Sequence, residues 1–478
     1  MDTQPQTHGL FIGGTWHRPG PTFEVSDPAT GRTVAEVSDA GPGDALAALD
    51  AAAQAQPDWA GTPPRERAEI LRRAFDLLVA RTEEFAELAT LEMGRPLAES
   101  RAEVAYAAEF LRWFAEEAVR IAGEHRTAPG GDFRIVTARR PVGPCYLITP
   151  WNFPLAMITR KVGPALAAGC TVVIKPAEAT PLCALALASL LAEAGVPAGV
   201  VNVLPTLDPG PVTTALLADE RLRKLSFTGS TEVGRMLLAQ SAPGVLRTSM
   251  ELGGNAPFLV FDDADIEAAA DGALVAKMRN AGQSCVAANR FIVHRAVAAD
   301  FAEALRARMA PLRLGPGSDP ASQVGPLIDE AARTRIHGLV TDAADKGAKV
   351  LLGGEIPAGP GAFYPPTLLV DVPPDAALLH REIFGPVAAI TVQPDEEAMV
   401  EAANATAAGL VAFAYTRDLQ RAFRVGDRLE AGMVGLNRGL VSNAAAPFGG
   451  IKQSGLGREG GFEGIDEYLE VKYMAIQA

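Results

Sequence analysis

The middle third of the chain alternates between short apolar segments and helical patterns, and this alternation limits the fold more than any other feature. Two of the helical patterns end at a glycine, Gly169 and Gly195, as helices commonly do. Strands that alternate with helices form a parallel, doubly wound sheet, whose ligands bind beside the carboxyl ends of the strands. The predicted strands are residues 142–149, 171–174, 200–204 and 224–227, and the predicted helices are residues 155–168, 181–194, 211–218 and 228–240.

A second α/β unit is predicted after Glu251, where the alternation begins again. The chain has 478 residues, and a single core stops growing near about 250–300 residues. We therefore expect two or three domains, with the second α/β domain starting near residue 251. Its first elements are predicted at residues 258–261 (strand), Ile266–Met278 (helix) and Arg290–His294 (strand), and the N-terminal part carries helical patterns at residues 64–93, with a break, and 97–122.

The charge and the hydropathy of the chain exclude several classes of partner. The 43 basic and 57 acidic side chains give a net charge of −14, which argues against nucleic acid or an anionic membrane as partner. The sequence has no apolar run of the roughly 18–20 residues that a transmembrane helix needs. Residues 1–14 lack the basic segment followed by an apolar one that is typical of a secretory signal.

The cysteines and histidines indicate reduced thiols and no metal site. Cys145, Cys170, Cys183 and Cys285 are too far apart in sequence for metal-ligand spacing, and so few in a long chain do not form a disulfide framework. The six histidines are scattered. We therefore predict a cytoplasmic protein without a bound metal. A G-x-G-x-x-G motif at residues 455–460 is predicted to be a turn-rich loop, because too little chain follows it for a βαβ unit.

Two segments carry residues suited to covalent chemistry on a carbonyl group. Residues 279–285 place Cys285 after a glycine-containing turn, and residues 250–255 contain one carboxylate, Glu251. A thiolate is a strong nucleophile, and a carboxylate can activate the water that later releases the acyl group. A single cysteine is more often a small packing residue. The hypothesis therefore depends on the other motifs of the chain.

Those motifs occur in the order found in one family. They are Pro150-Trp151-Asn152-Phe153-Pro154, Lys175-Pro176-Ala177-Glu178, Phe227-Thr228-Gly229-Ser230-Thr231, Glu251-Leu252-Gly253-Gly254, Gly282-Gln283-Ser284-Cys285, Glu382-Ile383-Phe384-Gly385-Pro386, Asn437 and Pro447-Phe448-Gly449-Gly450. The whole chain thus resembles the NAD(P)-dependent aldehyde dehydrogenases. Within this family, the chain most resembles the succinate-semialdehyde dehydrogenases, through residues 156–162 and 452–460.

The resemblance implies an α/β fold of the aldehyde dehydrogenase type. It comprises a doubly wound parallel-sheet cofactor domain, a second α/β catalytic domain and a small β element for oligomerisation. The implied domains are residues 1–121 with 141–250, and residues 251–463. The implied oligomerisation segments are residues 122–140 and 464–478, through which a homodimer or homotetramer forms.

The resemblance also implies three catalytic roles. Cys285 would attack the aldehyde carbon, and the Asn152 amide with the Cys285 N–H would stabilise the oxyanion. Glu251 would deprotonate the water that hydrolyses the thioester. Without the resemblance, Asn152 is equally well explained as a turn residue, and Glu251 as a solvated charge.

The cofactor residues are assigned by the same resemblance. Glu178 is expected to accept hydrogen bonds from the adenosine ribose hydroxyl groups. Its charge would then lie where the 2′-phosphate of NADP binds, so NAD is the expected cofactor and NADP the alternative. The loop at residues 205–210 departs from the family pattern. The complete set of expected cofactor residues is Trp151, Lys175, Glu178, Gly229, Ser230, Leu252, Glu382 and Phe384.

The expected substrate is a small anionic aldehyde. In succinate-semialdehyde dehydrogenases, residues corresponding to Arg160, Arg279 and Ser442 hold the distal carboxylate, for which guanidinium groups are well suited. Succinate semialdehyde is the first candidate and glutarate semialdehyde the alternative, since Arg438 departs from the usual residue near this site. Each arginine has the alternative role of a structural ion pair. A catalytically silent relative and a thioesterase remain as other classes of function.

Overall fold

The structure is a computed structural model that describes residues 6–18 and 20–477. Its strands are β1 Gln6–His8, β2 Leu10–Ile12, β3 Thr15–His17, β4 Thr22–Ser26, β5 Thr33–Ser38, β6 His125–Thr127, β7 Phe133–Pro141, β8 Cys145–Ile148, β9 Val172–Lys175, β10 Val201–Val203, β11 Lys224–Thr228, β12 Arg247–Glu251, β13 Pro257–Val260, β14 Arg290–His294, β15 Lys349–Leu352, β16 Thr367–Val370, β17 Val387–Gln393, β18 Ala408–Gly409, β19 Val411–Tyr415, β20 Met433–Leu436, β21 Ile451–Lys452, β22 Gly455–Leu456 and β23 Leu469–Gln477.

Helices connect most of the central strands. In chain order they are α1 Pro42–Gly61, α2 Pro64–Ala80, α3 Thr82–Met93, α4 Leu97–Ala118, α5 Ala156–Ala168, α6 Leu182–Glu193, α7 Pro209–Leu217, α8 Thr231–Ser241, α9 Ile266–Met278, α10 Ala298–Met309, α11 Glu330–Asp345, α12 Ala377–His380, α13 Glu396–Asn404 and α14 Leu419–Arg428. Short 3₁₀ turns lie at Arg279–Gly282 and Asp466–Tyr468. None of the helices within the described residues is long and apolar enough to cross a bilayer.

The first large sheet has eight strands in the order β22-β12-β11-β8-β9-β10-β2-β3. The five central strands are parallel, which confirms the predicted doubly wound sheet. From β8 the chain proceeds to β9 and β10 on one side and then returns to β11 and β12 on the other. This reversal lies between β8 and β11, and the crevice at such a switch point is where ligands of open α/β sheets bind.

Burial on both faces explains why these strands are recognisable from the sequence. All residues of β8, β9 and β11 are buried, and helices pack against the two faces of the sheet. Such strands consist of continuous apolar or β-branched residues, as in Val172-Val173-Ile174. Helix α5 ends as predicted, because Gly169 takes a left-handed conformation with φ of +95°.

The second large sheet has seven strands in the order β15-β16-β17-β14-β13-β19-β20. All pairs are parallel except β15 with β16. Helix α9 and the Cys285 loop connect β13 to β14, so that Cys285 is carried by this sheet. The predicted strand and helix at Arg290–His294 and Ile266–Met278 are confirmed.

The structure differs from the elements predicted from the sequence in three features. Strands β1, β4 and β5 form a separate sheet near the N-terminus. The predicted break within residues 64–93 is confirmed at Arg81, but the next helix ends at Ala118, before the predicted residue 122. Part of the 455–460 segment is the short edge strand β22, which pairs with β12 through Glu251 and Gly455.

A third sheet consists of β6, β7 and β23. Strands β7 and β23 pair antiparallel from Phe133 with Gln477 to Pro141 with Leu469. Apart from Pro141, they lie within the two segments expected to mediate oligomerisation. Val471, Tyr473 and Ile476 of β23 are large exposed apolar side chains. The oligomeric state stays a prediction.

Candidate active site

The loop that carries Cys285 has a strained backbone. Three consecutive residues, Asn280, Ala281 and Gly282, have φ values of 54°, 50° and 73°, in the left-handed region that non-glycine residues rarely adopt. A Cβ atom at Gly282 would lie 2.1 Å from the carbonyl oxygen of Gly385. The loop therefore requires glycine at this position, and strain of this kind is concentrated at functional sites.

Two asparagine side chains hold the loop in place. The Nδ2 of Asn280 donates to the carbonyl oxygens of Asn152 and Gln283, at 2.9 and 3.0 Å, and the Asn280 N–H donates to Glu99 at 2.8 Å. The Nδ2 of Asn152 donates to the same Gln283 carbonyl at 3.1 Å. An amide nitrogen has two hydrogens, so Asn152 keeps a second one for another acceptor.

Cys285 is half-buried beside this loop. Burial raises the pKa of its thiol to about 12, and the positive charge of Arg160 acts in the opposite direction. The thiol is therefore protonated at neutral pH in the unliganded protein. Its conversion to the nucleophilic thiolate needs a change in the charges or the solvation around it.

Glu251 lies at the carboxyl end of β12 with its carboxylate buried. Neither carboxylate oxygen has a hydrogen-bond partner within the described part of the chain. Burial and the negative charge of Glu459 raise the pKa of Glu251 well above its usual value, against the effects of Arg160 and Lys161. A buried carboxyl group without a protein partner and with a raised pKa is typical of a group that exchanges protons in a reaction.

A cavity of about 280 Å³ joins these groups at the switch point of the first sheet. We call it the Cys285 cleft. The loops after β8, β11 and β12 form one wall, and the Cys285 loop, Arg335 of α11 and the segment between α12 and β17 form the other. Its lining includes Trp151, Asn152, Gly229, Ser230, Glu251, Leu252, Cys285, Arg335, Glu382 and Phe384. The structure thus brings together all three predicted catalytic residues and six of the eight predicted cofactor residues.

The N-terminus of α8 forms one end of the cleft. Ser230 is the N-cap residue, and its Oγ accepts a hydrogen bond from the Val233 N–H at 3.3 Å. Gly229 precedes it, and a Cβ atom there would lie 2.4 Å from the Phe227 ring. Free backbone N–H groups and the positive end of the helix dipole favour a phosphate at such a position. The geometry fits the pyrophosphate of a dinucleotide.

Glu382 and Phe384 also line the cleft. The Phe384 ring packs edge-on against Trp151, with the centroids 5.4 Å apart. Glu382 accepts a hydrogen bond from the Gly254 N–H at 3.2 Å, and burial raises its pKa to about 7. A carboxylate held in this way can accept hydrogen bonds from ribose hydroxyl groups. These residues therefore also fit a dinucleotide.

Lys175 and Glu178 do not line the Cys285 cleft. Lys175 ends β9, and its Nζ lies 3.3 Å from Glu178 Oε2. The Lys175 side chain is buried, whereas that of Glu178 is 51% exposed. An exposed carboxylate at the carboxyl end of the sheet remains accessible to a ligand that extends beyond the cleft.

The two predicted substrate arginines have different surroundings. Arg160 is buried in α5, and its Nε donates to Glu459 Oε2 at 2.5 Å while its guanidinium lies 4.0 Å from the centroid of the Phe448 ring. Its Nη2 is buried without a hydrogen-bond partner among the described residues. Arg160 therefore forms a structural ion pair, which was the alternative to a role in substrate binding. Its Nη2 can still donate a hydrogen bond to a ligand. Arg279 is half-buried, 4.8 Å from the centroid of the Phe153 ring.

Ser442, the third predicted substrate residue, lines a different cavity of about 530 Å³. We call it the Ser442 cleft. Tyr106, Trp113 and Asn443 are among its other lining residues. The structure thus separates Ser442 from the lining of the Cys285 cleft.

Comparison with known proteins assigns the chain to a family. Residues 16–474 match the aldehyde dehydrogenase family. The chain belongs to this family. The family assignment and the predicted fold class are therefore confirmed.

The similar aldehyde dehydrogenases include enzymes with different named substrates. The succinate-semialdehyde dehydrogenase of Paenarthrobacter nicotinovorans is 59% identical over 433 residues, which are 91% of this chain and 96% of that protein. The NADP(+) succinate-semialdehyde dehydrogenase of Escherichia coli K12 is 50% identical over 98% of this chain and 97% of its own length. The glutarate-semialdehyde dehydrogenase of Pseudomonas aeruginosa PAO1 is 49% identical, with the same coverage.

Solved aldehyde dehydrogenase structures match over nearly the whole chain. The crystal structure of succinate-semialdehyde dehydrogenase from Burkholderia pseudomallei superposes with a TM-score of 0.97, at 50% identity and over 98% of both chains.

Within residues 6–18 and 20–477, no group of three His, Cys, Asp or Glu side chains could hold a metal ion.

Sequence reasoning did not identify several side chains of this aldehyde dehydrogenase site. Glu459 accepts from Arg160 and, at 2.6 Å, from Lys161 Nζ. Burial opposes ionisation of Glu459, but the two cations hold its pKa below the usual range. Tyr106 and Asn280 were also missed. The only available signal for Glu459 was its place within the 452–460 segment, since its partners lie about 300 residues away in sequence.

Proposed function

We propose that this aldehyde dehydrogenase oxidises a short aldehyde with a carboxylate at its far end. Succinate semialdehyde is the first candidate and glutarate semialdehyde the second, as among the named relatives. The observation that supports this most is the buried Arg160, whose Nη2 has no partner among the described residues and whose charge acts on Cys285. A desolvated guanidinium nitrogen without an acceptor favours an anionic substrate group beside the nucleophile.

In the proposed reaction, the Cys285 thiolate attacks the aldehyde carbon. A C–S bond forms, and the carbonyl electron pair moves to oxygen. The free Asn152 Nδ2 hydrogen and the Cys285 N–H donate to that oxygen, which stabilises the charge as it develops. A bound nicotinamide supplies the acceptor for the hydride of this carbon. The acyl group then remains on Cys285 as a thioester.

Glu251 acts in the second half of the reaction. Its carboxylate takes a proton from water, the water oxygen attacks the thioester carbon, and the C–S bond breaks to release the carboxylic acid. Burial and the charge of Glu459 raise the pKa of Glu251, so a smaller fraction of the group is the basic carboxylate at a given pH than for a solvated glutamate. We therefore expect the hydrolysis rate to rise with pH.

We propose NAD as the preferred cofactor. The exposed Glu178 carboxylate supports this choice, since its charge disfavours the 2′-phosphate of NADP. Lys175, 3.3 Å from Glu178, offsets part of that charge, and one relative is named as an NADP enzyme. NADP is therefore the alternative.

We further propose a cytoplasmic homodimer or homotetramer. The exposed apolar side chains on β23 support association through the third sheet. The free thiols of all four cysteines support a reducing compartment. For the domains, we propose residues 1–121 with 141–250 as the cofactor domain, residues 251–463 as the catalytic domain, and residues 122–140 and 464–478 as oligomerisation segments.

The proposed function is tested by a substrate panel. The kcat/KM values for succinate semialdehyde, glutarate semialdehyde, butanal and pentanal are measured with NAD and with NADP by the absorbance of the reduced nicotinamide. Each charged aldehyde is then compared with an uncharged aldehyde of the same chain length. We expect the carboxy aldehydes to be preferred. Equal or better oxidation of the uncharged pair would contradict the proposal.

A further inference from the structure

Tyr106 is a side chain near Arg160, Arg279 and Cys285 to which no role has been assigned. It lies on α4, and its ring packs edge-on against Phe110 with centroids 4.9 Å apart. The Arg279 guanidinium lies 6.0 Å from the centroid of the Tyr106 ring. Tyr106 also lines the Ser442 cleft. These apolar and cation–π contacts fix the ring and do not involve the hydroxyl group.

The Tyr106 hydroxyl is buried, and its O–H has no acceptor among residues 6–18 and 20–477. A buried hydroxyl of this kind costs free energy, and buried tyrosines usually have a partner. Tyr146 is an example in this protein, since its hydroxyl pairs with Thr213 Oγ1 at 3.1 Å. The unpaired Tyr106 hydroxyl therefore indicates a partner that is a ligand.

The groups around the Tyr106 hydroxyl define what that ligand is. Burial raises the pKa of the phenol, while the neighbouring Arg160 guanidinium, through its charge and a weak side-chain hydrogen bond, and the charge of Arg279 oppose the shift and Cys285 adds to it. The phenol is therefore a neutral donor near two cations and the nucleophile. Arg160 Nη2 is a second donor without a partner in the described structure. Two unpaired donors beside positive charge match an anionic acceptor.

We propose that the Tyr106 hydroxyl donates a hydrogen bond to the distal carboxylate of the substrate, together with Arg160, and so contributes to specificity for carboxy aldehydes. This inference rests on the proposed function. Tyr106 acts on the substrate group far from the reacting carbon, so its loss affects binding more than chemistry. Uncharged aldehydes do not use the hydroxyl.

The test compares Tyr106→Phe with wild type and with the control Tyr146→Phe. A hydrogen bond to a charged group is worth roughly a 10- to 150-fold change in binding. For Tyr106→Phe we expect kcat/KM for succinate semialdehyde to fall by about that factor, mainly through KM, with butanal unaffected. The Kd for succinate, measured by calorimetry, rises by a similar factor. Tyr146→Phe leaves both quantities unchanged.

Thermal unfolding separates the proposed role from a structural one. Because the Tyr106 O–H has no acceptor in the described protein, its removal leaves Tm unchanged or raises it, whereas Tyr146→Phe lowers Tm by leaving Thr213 unpaired. The inference would be overturned, and the proposed function left standing, if Tyr106→Phe had a lower Tm but kept the wild-type ratio of kcat/KM for succinate semialdehyde to kcat/KM for butanal. A wild-type enzyme without preference for succinate semialdehyde over butanal would overturn both this inference and the proposed function.

Discussion

Arg160 and Glu459 form a buried ion pair across 299 residues of sequence, with the Arg160 Nε 2.5 Å from Glu459 Oε2. Lys161, the next residue of α5, donates to the other Glu459 oxygen at 2.6 Å. Glu459 thus balances two cations, and its charge also raises the pKa of Glu251. One carboxylate therefore connects the candidate substrate group with the candidate general base.

The first prediction concerns the pH dependence that this connection produces. Glu459→Gln removes a negative charge near Glu251, so the pKa of Glu251 falls. Because Glu251 acts as a base, the rising limb of the kcat–pH profile moves to lower pH. The profile is measured with a substrate whose thioester hydrolysis limits the rate. Glu396→Gln is the control, since Glu396 pairs with Arg421 and Arg424 of α14, which packs on the second sheet. An unmoved profile for Glu459→Gln would contradict the coupling.

The second prediction concerns the nucleophile. Cys285→Ala abolishes NADH formation and any hydrolysis of activated esters, because both need the thiol, and it leaves cofactor binding and the fold nearly intact. Cys183→Ala is the matched control, since Cys183 is a buried packing residue and its loss spares the chemistry. Nicotinamide absorbance and cofactor titration provide the measurements. Appreciable NADH from Cys285→Ala would exclude the covalent mechanism.

The third prediction concerns the strained loop. Gly282→Ala places a Cβ atom 2.1 Å from the Gly385 carbonyl oxygen at a φ of 73°, so we expect a loss of about 1–3 kcal/mol in unfolding free energy and of most activity. Gly338 is the control, because it lies inside α11 with no atom within 4 Å of an added Cβ. Gly338→Ala stabilises the protein by about 0.5–1 kcal/mol. The unfolding free energy in denaturant and kcat are measured for both variants. Equal effects of Gly282→Ala and Gly338→Ala would show that the backbone at Gly282 does not require glycine.

The central sheet was predictable from the sequence because its strands are buried on both faces and therefore mostly apolar, as at residues 172–174. The Cys285 loop was found because its motif is local. The ion pair of Arg160 with Glu459 and the unpaired Tyr106 hydroxyl were not predictable, since they depend on side chains that only tertiary packing brings together. The edge strand β22 was missed because two residues carry no periodic pattern.

The fourth prediction concerns cofactor choice. Glu178→Ser removes the charge that disfavours the 2′-phosphate and also a hydrogen-bond acceptor for the ribose, so affinity for NAD falls and the NADP/NAD ratio of kcat/KM rises. Both enzymes are measured with both cofactors. A wild-type preference for NADP, or a ratio that does not change in the variant, would show that Glu178 does not discriminate between them.

The most direct test of the central claim is the ratio of kcat/KM for succinate semialdehyde to that for butanal in wild type, Arg160→Gln and Arg279→Gln. Loss of a buried charge-assisted contact costs about 2–5 kcal/mol, or roughly 30-fold to several-thousand-fold. We predict that each variant lowers the ratio on this scale, although Arg160→Gln also slows butanal oxidation, because it removes a charge that acts on Cys285 and Glu251. An equal loss for both substrates would show that the arginines support the fold or the Cys285 loop and do not recognise the carboxylate.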